Sequence, residues 1–113
     1  LIAADYLELV TLARENVVAL RCSAAGGGGI PWLPNREKTL EQEAGVRISG
    51  IMNGTTNDIL DRMHTGGGSF SAALAQAQAL GYAEADPTQD LNGGDIRRKL
   101  VISANIAFGC VLD

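Results

Sequence analysis

The sequence predicts an α+β fold in which helices pack on one face of a small sheet. Three stretches carry apolar side chains at helical spacing, namely residues 2–14, 70–80 and 95–108. Two short runs have the β-branched or alternating pattern that is typical of strands, namely residues 17–22 and 46–51. Glycine clusters separate such elements at residues 26–29, 66–68 and 93–94.

Length, composition and charge limit the function classes. The 113 residues, 46% of them hydrophobic, suit one globular unit, and a net charge of -4 argues against a nucleic-acid partner. No apolar run reaches the ~18 residues of a membrane span, and no signal peptide is visible. Cys22 and Cys110 lack metal-ligand spacing, so we expect two buried thiols and a cytoplasmic protein.

The first part of the chain is an amphipathic pattern followed by a glycine-rich loop. The sequence starts without a methionine or a helix cap, so we expect it to be a fragment that begins inside a longer protein. The loop Ser23–Pro31 contains four consecutive glycines after the predicted strand 17–22. It is either a flexible connector or backbone left bare for a ligand, and its spacing is not that of a GxGxxG dinucleotide motif.

Two further helices have recognisable ends. Asn35 suits the N-cap of a short helix over residues 35–43. Ser69 suits the N-cap of the helix over residues 70–80, and Gly81 is placed to end it.

Between these helices, Asn53-Gly54 is a turn signal. Thr55 or Thr56 is the expected cap of a helix over residues 57–64. His64 is the only histidine and stands at the end of that helix, where the dipole stabilises a cation. We therefore expect a structural role for His64.

An acidic, turn-rich stretch precedes the last helix. It carries carboxylates at Glu84, Asp86, Asp90 and Asp95, and Lys99 follows Asp95 at a spacing of one helical turn. From the residues alone two interpretations stay open. The Asp95–Lys99 pair is a solvated ion pair, or it is a site at the mouth of a buried helix. Asp86, beside a proline, is expected to form a turn.

The same stretch resembles the substrate-binding signature of the homoserine dehydrogenases. That signature is Gly-Tyr-x-Glu-x-Asp-Pro, a second Asp, and Gly-x-Asp-x-x-x-Lys, and this sequence has GYAEADPTQDLNGGDIRRK over residues 81–99. The loop GGGIP at residues 27–31 and NGTTN at residues 53–57 are similar to two further motifs of the family. Three positions depart from the family pattern: Ser23 replaces a Glu, Gly26 replaces a Val, and Asp58 replaces an aromatic residue.

The resemblance implies an enzyme that interconverts L-aspartate 4-semialdehyde and L-homoserine with NADP or NAD, in the aspartate pathway to threonine and methionine. It implies Lys99 and Asp95 as catalytic residues. The substrate-binding residues that it implies are Glu84, Asp90, Asp95, Tyr82 and Thr55.

The resemblance also implies backbone contacts to the cofactor at Gly28, Gly29 and Gly54. It implies a Na+ or K+ site on the backbone of Gly26, Gly28 and Ile30. Ser23 weakens this second expectation, because a hydroxyl is a poorer ligand for a hard cation than a carboxylate is.

By this resemblance residues 1–113 form a partial substrate-binding, catalytic and dimerisation domain, incomplete at both ends. We expect a Rossmann nucleotide-binding domain before Leu1, a homodimer, and no activity from the 113 residues alone. Two alternatives stay open: a degenerate, non-catalytic relative that serves as an amino-acid-binding or dimerisation module, and a small-ligand-binding α+β domain with an acidic pocket. Hydride transfer separates the enzyme from both.

Overall fold

The computed structural model describes residues 2–28, 30–40 and 45–112. They form two compact units. The first combines the described residues up to Gly50 with those from Arg97 onward, and the second is Ile51–Ile96. The helices of the described residues are α1 Tyr6–Glu15, α2 Ala24–Gly27, α3 Trp32–Leu40, α4 Gly54–Gly66, α5 Phe70–Ala79, α6 Thr88–Leu91 and α7 Gly94–Phe108.

The predicted sheet is wrong: the described residues contain helices and no strand. Residues 17–22 and 46–51 have no regular structure, and Val17 and Val46 are 93% and 95% exposed. Val17 has a φ of 53°, in the left-handed region. Its amide donates to Arg14 O and the next amide, of Val18, donates to Ala13 O. These bonds end α1 in a Schellman motif, so the chain reverses where an extended strand was expected.

Within the first unit, α1 has the predicted faces. The predicted apolar residues of this helix are half-buried, while the intervening side chains of Leu7, Glu8 and Thr11 are exposed; the half-buried residues are Tyr6, Leu9, Val10 and Ala13. The helix begins at Tyr6 and not at Ile2.

The glycine loop is more ordered than predicted, since Ala24–Gly27 forms a helical turn. Gly26 is buried there, and a Cβ on it would overlap the fully buried Leu33 of α3. Gly26 therefore serves close packing of α2 against α3. Helix α3 begins at Trp32 and not at Asn35, and its predicted end at Glu43 lies outside the described residues.

The second unit is held by packing between α4 and α5. Ile59 of α4 is 1% exposed and forms a buried cluster with Ala73, Ala77 and Ala83. The alanines let the two helices approach closely. Met63 and Leu74 cover the edge of this cluster.

The end signals of α5 and the extent of α7 are confirmed. Ser69 Oγ accepts a hydrogen bond from Ala72 N, and Gly81 has a φ of 78° just after the helix. Helix α7 spans Gly94–Phe108 and buries Ile102 and Ala107 among other residues. No helix in the described part of the chain is long and apolar enough to cross a membrane.

Candidate active site

The acidic loop, defined as residues 81–93, begins with two backbone hydrogen bonds to α5. The amides of Tyr82 and Ala83 both donate to Ala77 O, at 2.9 and 3.2 Å, and Ala83 is buried. These bonds return the chain over the end of α5. The start of the loop is thereby fixed to the core of the second unit.

Side chains of α4 and α5 hold the next part of the loop. Thr55 Oγ1 donates to Tyr82 O at 2.8 Å, and Gln78 Nε2 donates to Glu84 O at 3.0 Å. The bonds use the loop backbone, and the side chains of Tyr82 and Glu84 stay exposed. Two of the predicted substrate-binding residues, Tyr82 and Glu84, therefore present their side chains to solvent from an anchored backbone.

Asp86 forms the predicted turn. Its Oδ1 accepts from Thr88 N at 3.2 Å and from the Thr88 hydroxyl. These two hydrogen bonds hold the pKa of the Asp86 carboxyl below its ordinary value, since they stabilise the charged form. The turn leads into α6, a four-residue helix that we did not predict.

Asn53 joins α4, α6 and α7. Its side chain is 5% exposed, and its Nδ2 donates to Asp90 Oδ1 of α6 and to Asp95 Oδ2 of α7, each at 2.7 Å. Its Oδ1 accepts from Thr56 N and from Thr56 Oγ1, each at 2.8 Å. All four hydrogen-bonding positions of the amide are thus used. Two half-buried carboxylates that we predicted as site residues therefore accept hydrogen bonds from the same buried side chain.

Asn53 is a candidate site residue that the sequence marks only as part of a turn. It is the N-cap of α4, which therefore begins at Gly54, three residues before the predicted start. The expected cap at Thr55 or Thr56 is wrong because Thr56 N donates to Asn53 Oδ1. The N-cap spacing from Asn53 to Thr56 was a usable signal. Its two carboxylate partners lie 37 and 42 positions further along the chain, and no local pattern marks them.

The remaining predicted residues lie in α7, in the glycine loop and at the start of α4. Lys99 lies one helical turn beyond Asp95 in α7, in the part of that helix that belongs to the first unit, and is half-buried. Gly29 lies outside the described residues. Gly28 has a φ of 58°, and a Cβ on Gly28 or Gly54 would meet no atom within 4 Å. The backbone at both glycines is therefore open to a bound molecule.

The predicted cation ligands belong to the first unit. The Ile30 carbonyl accepts from Trp32 N at 2.8 Å, and the Gly26 amide donates to Ser23 O at 3.0 Å. In the ranges that the structure describes, no group of three His, Cys, Asp or Glu side chains could hold a metal ion.

Asp58, which stands where the resembled family has an aromatic residue, pairs with Arg62 one turn along α4. Arg62 Nε and Nη2 donate to the two carboxylate oxygens at 2.6 and 3.0 Å. The hydrogen bonding that Arg62 donates to Asp58 raises the pKa of Arg62 above its ordinary value.

Comparison with known proteins identifies the family to which this arrangement belongs. The family model described as homoserine dehydrogenase matches residues 31–113. The chain belongs to the homoserine dehydrogenase family. A homoserine dehydrogenase of Pseudomonas aeruginosa is 46% identical over 112 residues, 99% of this chain, and one of Mycobacterium leprae is 45% identical over 108 residues, 96% of this chain.

A solved structure supports the same relationship. The crystal structure of a homoserine dehydrogenase from Thiobacillus denitrificans matches with a TM-score of 0.88 and 40% identity, over 99% of this chain and 26% of that one. The chain spans about a quarter of the length of the curated relatives it matches, 24% of the Mycobacterium leprae protein and 26% of the Pseudomonas aeruginosa protein.

Proposed function

We propose that this sequence is the substrate-side part of an oxidoreductase that interconverts L-aspartate 4-semialdehyde and L-homoserine with NADP or NAD. The observation that carries the proposal is that two carboxylates, Asp90 of the anchored acidic loop and Asp95, both accept hydrogen bonds from Asn53. Family membership supports the same reaction.

The acidic residues suit the charge of the substrate. Glu84 and Asp95 bind the ammonium group and the alcohol hydroxyl of the amino acid, because a carboxylate accepts charge-assisted hydrogen bonds from such N–H and O–H donors. Asp90 holds the acidic loop in place. Thr55 and Tyr82 complete the substrate contacts.

Lys99 is the proposed proton donor. When bound, the reduced nicotinamide supplies the hydride to the aldehyde carbon. The aldehyde oxygen then needs a proton, and the Lys99 ammonium is the group in α7 that can donate it. In the reverse direction the neutral amine takes the proton from the alcohol.

The open backbone at Gly28 and Gly54 supports a role in cofactor binding, and we extend this role to Gly29. We propose that the rest of the dinucleotide site belongs to a Rossmann domain in a longer protein, that this protein is a cytoplasmic homodimer, and that 113 residues alone are inactive. The backbone carbonyls of Gly26, Gly28 and Ile30 are the proposed ligands of Na+ or K+. We expect weak binding because Ser23 supplies no negative charge.

The test is NADPH oxidation with aspartate 4-semialdehyde by the full-length protein that carries this sequence. We expect turnover, and we expect Lys99→Ala to lower kcat by ~10²-fold or more, the scale of losing a positioned proton donor. Arg98→Ala removes the neighbouring exposed cation of α7 and is the matched control, with kcat expected within about twofold of wild type.

Two results would contradict the proposal. A folded, NADPH-binding protein without turnover would favour the non-catalytic alternative. Lys99→Ala at the wild-type rate would exclude Lys99 as the proton donor.

A further inference from the structure

A buried amide that donates to two carboxylates at once fixes them relative to each other. The two N–H bonds of Asn53 Nδ2 diverge, so Asp90 Oδ1 and Asp95 Oδ2 stand roughly 5 Å apart around one nitrogen. Like charges at this separation repel. The shared donor opposes that repulsion and sets the direction from which each carboxylate accepts.

The orientation of the Asn53 amide is fixed from its other end. Thr56 N can only donate, and it donates to Oδ1 at 2.8 Å. The NH2 group must therefore face the acidic residues, and a flipped amide would place its oxygen against two carboxylates. The cap of α4 and the geometry of the acidic pair are consequently properties of one side chain.

We propose that Asn53 is a positioning residue for the reaction, acting through Asp90 and Asp95. This inference rests on the proposed function, which assigns Asp95 to the substrate and Asp90 to holding the acidic loop in place. Asn53 does not contact the substrate in this account. It holds Asp95 in the direction that the substrate requires, and it joins Asp95 to Asp90 so that both move as one group.

The alternative is that Asn53 is only a helix cap, and two substitutions separate the roles. Serine and aspartate cap helices about as well as asparagine does. Asn53→Ser therefore keeps an acceptor for Thr56 N and replaces the two N–H donors to the carboxylates by one hydroxyl on a shorter side chain. Asn53→Asp also keeps the cap and puts a third negative charge against Asp90 and Asp95.

The experiment measures kcat and KM in the full-length protein, with substrate and NADPH varied separately. We expect Asn53→Ser to lower kcat/KM for aspartate 4-semialdehyde by ~10- to 100-fold, the scale of a catalytic group misplaced by about 1 Å. Asn53→Asp is expected to lower it further. The KM for NADPH should change little in both variants. The thermal midpoint should fall in both, and most in Asn53→Asp, which buries a third negative charge, so the rates are compared at a temperature where each variant is folded. Asn16→Ser, the same replacement at an exposed position after α1, should stay within about twofold of wild type.

A double-mutant cycle shows whether Asn53 acts through its partner. In an Asp90→Ala background, Asn53→Ser should cost less than it does in the wild type, since part of its effect is already lost. Equal costs in the two backgrounds would mean that Asn53 does not act through Asp90.

The outcomes distinguish this inference from the proposed function. A wild-type protein without turnover would remove the reaction and the positioning role together. An active wild type with Asn53→Ser and Asn53→Asp at near wild-type kcat/KM would overturn the inference alone. Activity that falls only in step with the folded fraction would show that Asn53 is a cap and nothing more. If Asn53→Ser does not fold, Asn53→Asp decides by the same measures.

Discussion

Ile59 is the side chain on which the packing of α4 against α5 depends, and replacing it tests the core of the second unit. Ile59→Ala removes three carbon atoms from a residue that is 1% exposed. The lost transfer free energy is about 2.4 kcal/mol at about 0.8 kcal/mol per methylene. The cavity adds to this cost, because the surrounding Ala73, Ala77 and Ala83 carry single methyl groups that cannot turn into the space.

We therefore expect Ile59→Ala to lower the free energy of unfolding by about 3.5 kcal/mol, within the range of about 2–5 kcal/mol known for such changes. Ile59→Val removes one carbon and should cost about 1 kcal/mol. Leu60→Ala is the control on the same helix, and it should cost less than about 1 kcal/mol because Leu60 is 63% exposed.

Urea denaturation of the full-length protein and its variants, followed by circular dichroism, measures these differences. Below the unfolding transition, kcat/KM of Ile59→Ala should stay within about twofold of wild type, since Ile59 lies in the buried cluster and not among the acidic residues. A loss below about 1 kcal/mol, or a loss equal to that of Leu60→Ala, would refute this description of the core.

Two further predictions concern the start of α4 and the acidic loop. Gly54→Ala should leave the denaturation midpoint unchanged or higher, because a Cβ there meets no atom within 4 Å and alanine favours a helix more than glycine does. The KM for NADPH should rise about tenfold, because the added methyl group enters the proposed cofactor space. An unchanged KM would contradict the assignment of Gly54 to the cofactor site. The pKa of Asp86 is lowered from 3.8 in the folded state, so its stabilising effect is present above about pH 4 and is lost as the pH falls through the lowered pKa. The urea midpoints of wild type and Asp86→Asn should therefore differ at pH 5, and the difference should shrink as the pH falls below 3.8. A difference that does not change with pH would refute the assigned cause.

The parts of the fold that the sequence predicts are those with local signals. Helix α5 was predicted within one residue at its end because Ser69 and Gly81 are neighbours of the helix that they cap. Helix α7 was predicted within one residue at its start for the same kind of reason, a run of apolar side chains after glycines. The two predicted strands are wrong. A strand requires hydrogen bonds to a neighbouring strand, and the sequence of the segment itself does not specify that neighbour.

The candidate site likewise contains residues that the sequence predicts and residues that it does not. Asp90 and Asp95 were identified through the family signature, which is contiguous in sequence. Asn53 was read as a turn residue, because the distant carboxylates that give it a second role cannot be inferred from its neighbours. The resemblance places the Gly26 backbone in a cation site, and the structure adds a packing contact with Leu33 that the local sequence does not reveal.

That contact makes the sizes of two residues depend on each other. Leu33 occupies the volume that a side chain on Gly26 would need, so positions 26 and 33 share one fixed space. Any relative with a larger residue at the first position should carry a smaller one at the second, and the two should change together between species. In this chain Gly26 cannot gain a side chain unless Leu33 or the helical turn α2 shifts.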